Sequence, residues 1–342
     1  MSARCRSTKT WRPHSSIRCL NRRRWRVHIH QSHEGKYSPT EIEEPMQHPL
    51  LIDCETLQKR LGQPGLVIID VRGRSTYEFG GHIPGAVHST WHEYSDPEAI
   101  AKGLLDPDLK RIEKRVQSLG VNRDSEVVIY SNPFDNWGDE GRMFWMLEYL
   151  GHANIKVLDG GWVKWIHERR PFEHGAVRPT PGNFTVSPVA SAIIMKDELK
   201  GIVRNPHSTT TLVDARSLEE YLGKEVSGIP RPGHIPGAVH VAWSGFLNAD
   251  ATVKDLAAIH EQLALKGLNP KHETVCYCTG GVRSGWLYFV LRLAGYERLR
   301  NYPGSWWEWS RDFACPVEKD LLALQKLLGL SESQVPTGMR PS

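Results

Sequence analysis

At 342 residues the chain is too long for one ordinary hydrophobic core, so two domains are the natural expectation. Apolar residues make up 39% and charged residues 24%, the balance of a soluble globular protein. No apolar run approaches the roughly 18 residues of a bilayer span, which excludes an integral membrane protein.

The formal net charge of +4 is local in origin. Residues 1–33 hold nine Lys/Arg and no Asp/Glu, leaving 34 basic against 39 acidic residues in the remainder. The folded part is therefore mildly acidic, and nothing in it suggests a nucleic-acid surface. Cys5, Cys19, Cys54, Cys276, Cys278 and Cys315 show no framework spacing. With no secretory signal, free thiols in a reducing, cytoplasmic setting are expected.

Residues 1–45 read as an Arg- and Ser-rich extension, too polar to pack, with Arg22-Arg23-Arg24-Trp25-Arg26 at its centre. Their apolar residues show little helical periodicity, so a disordered extension is expected, or upstream sequence ahead of a start at Met46. The alternative is a mitochondrial transit peptide, basic and free of acids, which would place the protein in the matrix.

From Leu50 onward short apolar runs alternate with helical segments, the pattern of α/β layering. Leu66–Asp70 reads as a buried strand and Ala86–His88 as a short second one. A helix is expected over Leu109–Leu119, strands over Val127–Tyr130 and Ile155–Leu158, and a helix over Arg142–Leu150. Another helix starts near Gly161-Trp162.

The same order then recurs. Gly233-His234-Ile235-Pro236-Gly237-Ala238-Val239-His240 repeats residues 81–88 letter for letter. Leu212-Val213-Asp214 answers the strand ending at Asp70, Thr274–Cys278 answers Val127–Ser131, and Tyr302–Trp309 answers Leu158–Trp165. Such landmarks in register indicate duplication of a whole domain. The expected division is 46–173 for the first domain, a Pro-rich linker at 174–188, a second domain at 189–318, and a C-terminal helix and tail at 319–342.

Chemistry concentrates at one place. An apolar run ends at Cys278, and Thr279-Gly280-Gly281-Val282-Arg283-Ser284 leads into an apolar segment of helical length. Strand, tight loop and helix N-terminus aim backbone N–H groups and positive helix-end potential at one spot. A cysteine there is held as the nucleophilic thiolate. Ser131 stands at the same place in the first copy, followed by a loop containing Asp135, Asp139 and Glu140, so that copy reads as structural and as a wall of the second copy's cleft.

These features, in order and doubled from Pro49 to Cys315, resemble the rhodanese family, specifically its two-domain sulfurtransferases. The carriers are Asp70-Val71-Arg72 and Asp214-Ala215-Arg216, the doubled Gly-His-Ile-Pro-Gly-Ala, the Cys278 loop, and Tyr302-Pro303-Gly304-Ser305-Trp306-Trp307-Glu308-Trp309. The resemblance implies an α/β fold of two tandem domains, each a mostly parallel central sheet flanked by helices. It implies Cys278 as the residue that takes sulfur from a donor as a persulfide and passes it to an acceptor, by covalent ping-pong chemistry.

Backbone groups from Thr279, Gly280, Gly281, Val282 and Ser284 would stabilise the sulfur, and Arg283 would supply fixed positive charge. Arg231, unique to the second copy, and Trp306, at the mouth, are weaker candidates for substrate contact. A solvated loop arginine and a core tryptophan are the bland readings of those two. Cys276, His82, His234, Asp70 and Asp214 read as packing or strand-end anchors. No metal or organic cofactor is expected, since no His/Cys cluster has ligand spacing. Expected partners are a small sulfur donor and a thiophilic acceptor: cyanide, a thiol or a thioredoxin-like reductant. The protein is expected to be a monomer.

Two departures from the family bear on the donor. Glu220 stands where mammalian-type enzymes carry an arginine, and the single Arg283 is closest to bacterial forms. Charge favours thiosulfate; 3-mercaptopyruvate and a persulfide relay stay open. A phosphatase or arsenate reductase of this fold needs five residues between Cys and Arg, and here there are four. A non-catalytic binding module fits the first domain but not the second.

Overall fold

In the computed structural model the described residues are 48–320 and 323. The expected extension over 1–45 and most of the expected helix and tail over 319–342 lie outside them.

The first repeat runs β1 (Leu51–Ile52), α1 (Cys54–Arg60), β2 (Leu66–Asp70), α2 (Arg74–Gly80), β3 (Val87–His88), α3 (Leu109–Ser118), β4 (Glu126–Tyr130), α4 (Asp139–Tyr149), β5 (Ile155–Leu158) and α5 (Gly161–His167). The second runs α6 (Lys196–Arg204), β6 (Thr211–Asp214), α7 (Leu218–Leu222), β7 (Val239–His240), α8 (Leu256–Leu265), β8 (Thr274–Tyr277), α9 (Arg283–Leu293), β9 (Leu299–Asn301) and α10 (Ser305–Trp309). Both sheets are parallel, ordered β1-β5-β4-β2-β3 and β7-β6-β8-β9. In the second, Ile193 pairs with Asn301 where β1 pairs with β5 in the first. Central strands β4 and β8 are almost wholly buried, which is why they read as continuous apolar runs rather than alternating ones.

The Asp-x-Arg motifs close each repeat at the sheet's carboxyl edge. Arg72 grips Asp70 and donates to Gly81 O at 2.7 Å, and Arg216 grips Asp214 and donates to Gly233 O at 2.7 Å. His82 and His234 stack on Tyr77 and Tyr221 at 4.0 and 3.8 Å, so both repeats use them to hold the turn.

α4 and α9 cross between the two sheets, and each is buried nearly all round. Glycine is the third residue of both helices, which allows the close crossing. A β-carbon on Gly141 would lie 2.3 Å from Trp286 Cα, and one on Gly285 2.6 Å from Arg142 Cα. One continuous apolar core therefore runs through both repeats, with Phe144 edge-on to Phe289 at 5.0 Å. Among the described residues no helix is long and apolar enough to cross a membrane.

Candidate active site

Cys278 follows β8 at the carboxyl end of its parallel sheet, the end where α/β folds place ligands. Its Sγ accepts from the Gly281 N–H at 3.1 Å, its N–H donates to Ser305 Oγ at 3.1 Å, and its carbonyl accepts from Trp306 N–H at 3.0 Å. Ser305 Oγ in turn donates to Tyr302 O at 2.7 Å, from a left-handed backbone with φ of 50°. Gly281 is also left-handed, with φ of 80°, and its missing β-carbon would lie 2.8 Å from Pro303 O. No side chain caps the start of α9, so its first N–H groups are free to face an anion.

The loop floors a cleft of about 560 Å³ between the repeats. The second repeat contributes Cys278, Thr279, Gly280, Val282, Arg283, Glu220, Val226 and Trp307. The first contributes Trp91, His92, Asp135, Asn136, Trp137 and Asp139. Part of the first repeat's wall is the eight-residue loop 131–138, three residues longer than the matching loop 278–282.

Sequence and structure part company over charge. Arg283 is not a free cation: its Nη1 and Nη2 meet the two Glu220 oxygens at 2.7 and 3.0 Å, and Thr279 Oγ1 donates to Glu220 Oε1 at 3.0 Å. Burial pushes the Glu220 carboxyl up, but the Arg283 guanidinium more than offsets this and holds it at about 2. The expected fixed positive charge is thus matched by a fixed negative one.

Of the remaining expected residues, Gly281 and Ser284 lie behind the lining, and the Ser284 hydroxyl is buried without a partner. Arg231 is not at the cleft. Its guanidinium donates to the carbonyls of Trp309, Ser310, Asp312 and Cys315 at 2.6–2.9 Å, tying down the chain after α10. Trp306 is 1% exposed, with Nε1 donating to Arg231 O at 2.9 Å and Arg216 over its ring at 4.7 Å. It is a core ring, and the indole at the mouth is its neighbour Trp307, which covers Gly280.

Sequence reasoning missed Arg142. From α4 of the first repeat it donates to Gly103 O at 2.6 Å and to Gly281 O at 3.4 Å, and it is fully buried. The available signal was the one basic residue of α4, standing just before its apolar run Met143–Leu147. Desolvation lowers its pKa to about 9, while Cys278 and Asp139 pull the other way. Burial, and then Glu140, raise Asp139 to about 8.

The first repeat's counterpart is closed. Ser131 is 1% exposed and donates to Glu140 Oε2, and Gly161 leaves no room for a β-carbon beside Ser131 O.

The rhodanese-like domain family matches residues 53–168 and again 195–312. The sulfur carrier protein TtuD of Thermus thermophilus is 31% identical over 288 residues, covering 80% of this chain and 98% of its own. The thiosulfate sulfurtransferase of Azotobacter vinelandii is 31% identical over 275 residues, covering 79% and 97%. The Escherichia coli SseA structure, described with the 3-mercaptopyruvate sulfotransferases, shares the fold with a TM-score of 0.66 at 24% identity, over 75% of this chain and 98% of its own. A doubled family match, relatives aligned along nearly their whole length, and a sulfur-bearing loop in the second repeat agree: the chain belongs to the rhodanese-like family as a two-domain sulfurtransferase.

Proposed function

We propose that the protein moves a sulfane sulfur from thiosulfate to cyanide or a thiol through a persulfide on Cys278. The observation that carries this reading is Cys278 Sγ on the cleft floor, beside the uncapped start of α9 and bonded to the Gly281 N–H at 3.1 Å. The Cys278 thiolate attacks the outer sulfur of thiosulfate. A new S–S bond forms, the donor's S–S bond breaks, and its electron pair leaves on sulfite. The terminal persulfide sulfur carries the negative charge. An acceptor such as cyanide then attacks that sulfur, and Cys278 leaves as thiolate, which regenerates the enzyme. Loop N–H groups and the helix end stabilise the anion without rearranging.

Residues 46–173 serve as wall and support, 189–318 carry the chemistry, and 174–188 join them. A cytoplasmic monomer that also discharges to a thioredoxin-like reductant belongs to the same reading. The name of the Azotobacter relative supports the donor. One observation favours 3-mercaptopyruvate instead: with Arg283 paired to Glu220, the cleft offers a dianion less than the sequence promised.

The test is thiocyanate formation from thiosulfate and cyanide by the wild-type protein and by Cys278→Ser, repeated with 3-mercaptopyruvate as donor. Wild-type activity that vanishes in the serine variant is expected. Robust turnover by that variant ends the reading, and a clear preference for 3-mercaptopyruvate reassigns the donor.

A further inference from the structure

The two backbone polar groups of Gly281 do different things. Its N–H holds Cys278 Sγ at 3.1 Å, while its carbonyl faces Arg142 Nη1 at 3.4 Å across the repeat boundary. Asn301 Nδ2 lies 3.5 Å from the same carbonyl. The guanidinium is fixed from its other side by Gly103 O at 2.6 Å and by the Trp145 ring at 4.5 Å. We infer that Arg142, a residue of the non-catalytic repeat, is the positioning residue of the Cys278 loop and supplies its uncompensated positive charge. This rests on the persulfide reading above and adds to it where the charge comes from.

Three further observations carry the inference. Arg142 is 0% exposed, and among the described residues no carboxylate lies within ion-pair distance of it. A buried, unpaired guanidinium is costly, and its Nε lacks any partner. Arg283, the obvious alternative, has its charge cancelled by Glu220 at 2.7 Å.

The duplication supplies the third observation. Arg142 follows Gly141 in α4, and the residue that follows Gly285 in α9 is Trp286. Trp286 lies against Gly138, at the end of the Ser131 loop, where a β-carbon would approach its Cβ to 2.6 Å. Each loop is thus backed by a side chain from the opposite helix, and only the cysteine loop is backed by a cation. The titratable groups that act with this cation are Cys278 in the loop, Asp139 on α4 and His92 on the facing wall, while Arg283 and Glu220 pair with each other and Glu140 accepts from Ser131. Burial, with Arg142 adding to it, lowers the His92 pKa, and burial keeps Asp139 from cancelling the cation at neutral pH.

The experiment follows the rate of iodoacetamide alkylation at Cys278 against pH, with the site read by mass spectrometry. It compares wild type, Arg142→Gln, Arg142→Lys and the double variant Glu220→Gln/Arg283→Gln. This readout needs no sulfur donor, so its outcome is separate from that of the turnover assay. Arg142→Gln is expected to move the profile at least about one pH unit upward, an alkylation rate about tenfold lower near neutrality. Arg142→Lys recovers most of the loss, which a purely structural role would not predict. The double variant removes a charge pair of zero net charge and moves the profile less than Arg142→Gln does. Coincident profiles for wild type and Arg142→Gln overturn the inference. If that variant does not fold, a tenfold shift in the double variant overturns it, because the charge would then reside at Arg283.

Discussion

Glu220 and Arg283 face each other on the cleft wall as a two-pronged ion pair, at 2.7 and 3.0 Å, with the Thr279 hydroxyl bridging them. Replacing Glu220 with Gln keeps the shape and hydrogen-bonding capacity while removing the negative charge. The KM for thiosulfate should fall about two- to fivefold at low ionic strength, and the gain should shrink as salt screens the freed arginine. An unchanged or raised KM would count against an anionic donor in this cleft.

The same pair has a pH signature. The Glu220 carboxyl is held at about 2, below its ordinary 4.5. A depressed carboxylate contributes stability that is present above the unfolded value and lost as pH falls through the folded one. Acid melts should therefore show wild type losing stability between about pH 4.5 and 2 more steeply than Glu220→Gln. Parallel curves would mean the pair contributes nothing.

How much of this was legible beforehand follows from sequence separation. The strands, the duplication and the Cys278 loop are local patterns, and the structure reproduces the strands over Leu66–Asp70 and Ile155–Leu158 without a shift and the other predicted elements within three residues at their ends. Glu220 and Arg283 lie 63 residues apart and Arg142 and Gly281 lie 139 apart, so no spacing rule joins them. Arg231 misled because a residue unique to the active repeat looks like a substrate contact. Its guanidinium instead satisfies four carbonyls, that of Trp309 at the end of α10 and those of Ser310, Asp312 and Cys315 after it. Trp306 and Trp307 are adjacent on a short helix, and only packing decides which faces the cleft.

Ser305 holds the Cys278 N–H from a left-handed backbone, and its counterpart in the first repeat is Gly161, with φ of 51°. Ser305→Ala keeps the strain and loses the hydrogen bond, so it should cost about 1–3 kcal/mol and slow turnover. Ser305→Gly loses the bond but relieves the strain, so it should melt higher than the alanine variant while remaining slow. An alanine variant as active as wild type would remove Ser305 from the site.

Gly141 lies in the non-catalytic repeat, yet its β-carbon would lie 2.3 Å from Trp286 Cα. The clash is with the Trp286 backbone, and a β-carbon has no rotamer, so no side-chain rotation relieves it. Gly141→Ala should wedge α4 away from α9, lower stability by about 1–3 kcal/mol and reduce sulfur transfer through misplacement of the Cys278 loop. Thermal melting and thiocyanate assays on the same preparation test it; full activity with an unchanged melt would show the crossing to be compliant.

Glu140 receives the Ser131 hydroxyl in the closed counterpart site, and its Oε1 has no partner. Burial raises its carboxyl from 4.5 to about 7, only partly opposed by the Ser131 bond. For an acid raised in the folded state, stability is full below the unfolded value and is lost as pH climbs through the folded one. Glu140 should thus leave folding unopposed near pH 4 and oppose it at pH 8, by about 1–3 kcal/mol across that window. Glu140→Gln cannot ionise and can still accept from Ser131 through its amide oxygen. Its melting temperature should match wild type near pH 4 and exceed it at pH 8. A variant that melts lower at both pH values would mean the charge is compensated in the native protein, and that the counterpart site is held open by an ion rather than shut by a protonated acid.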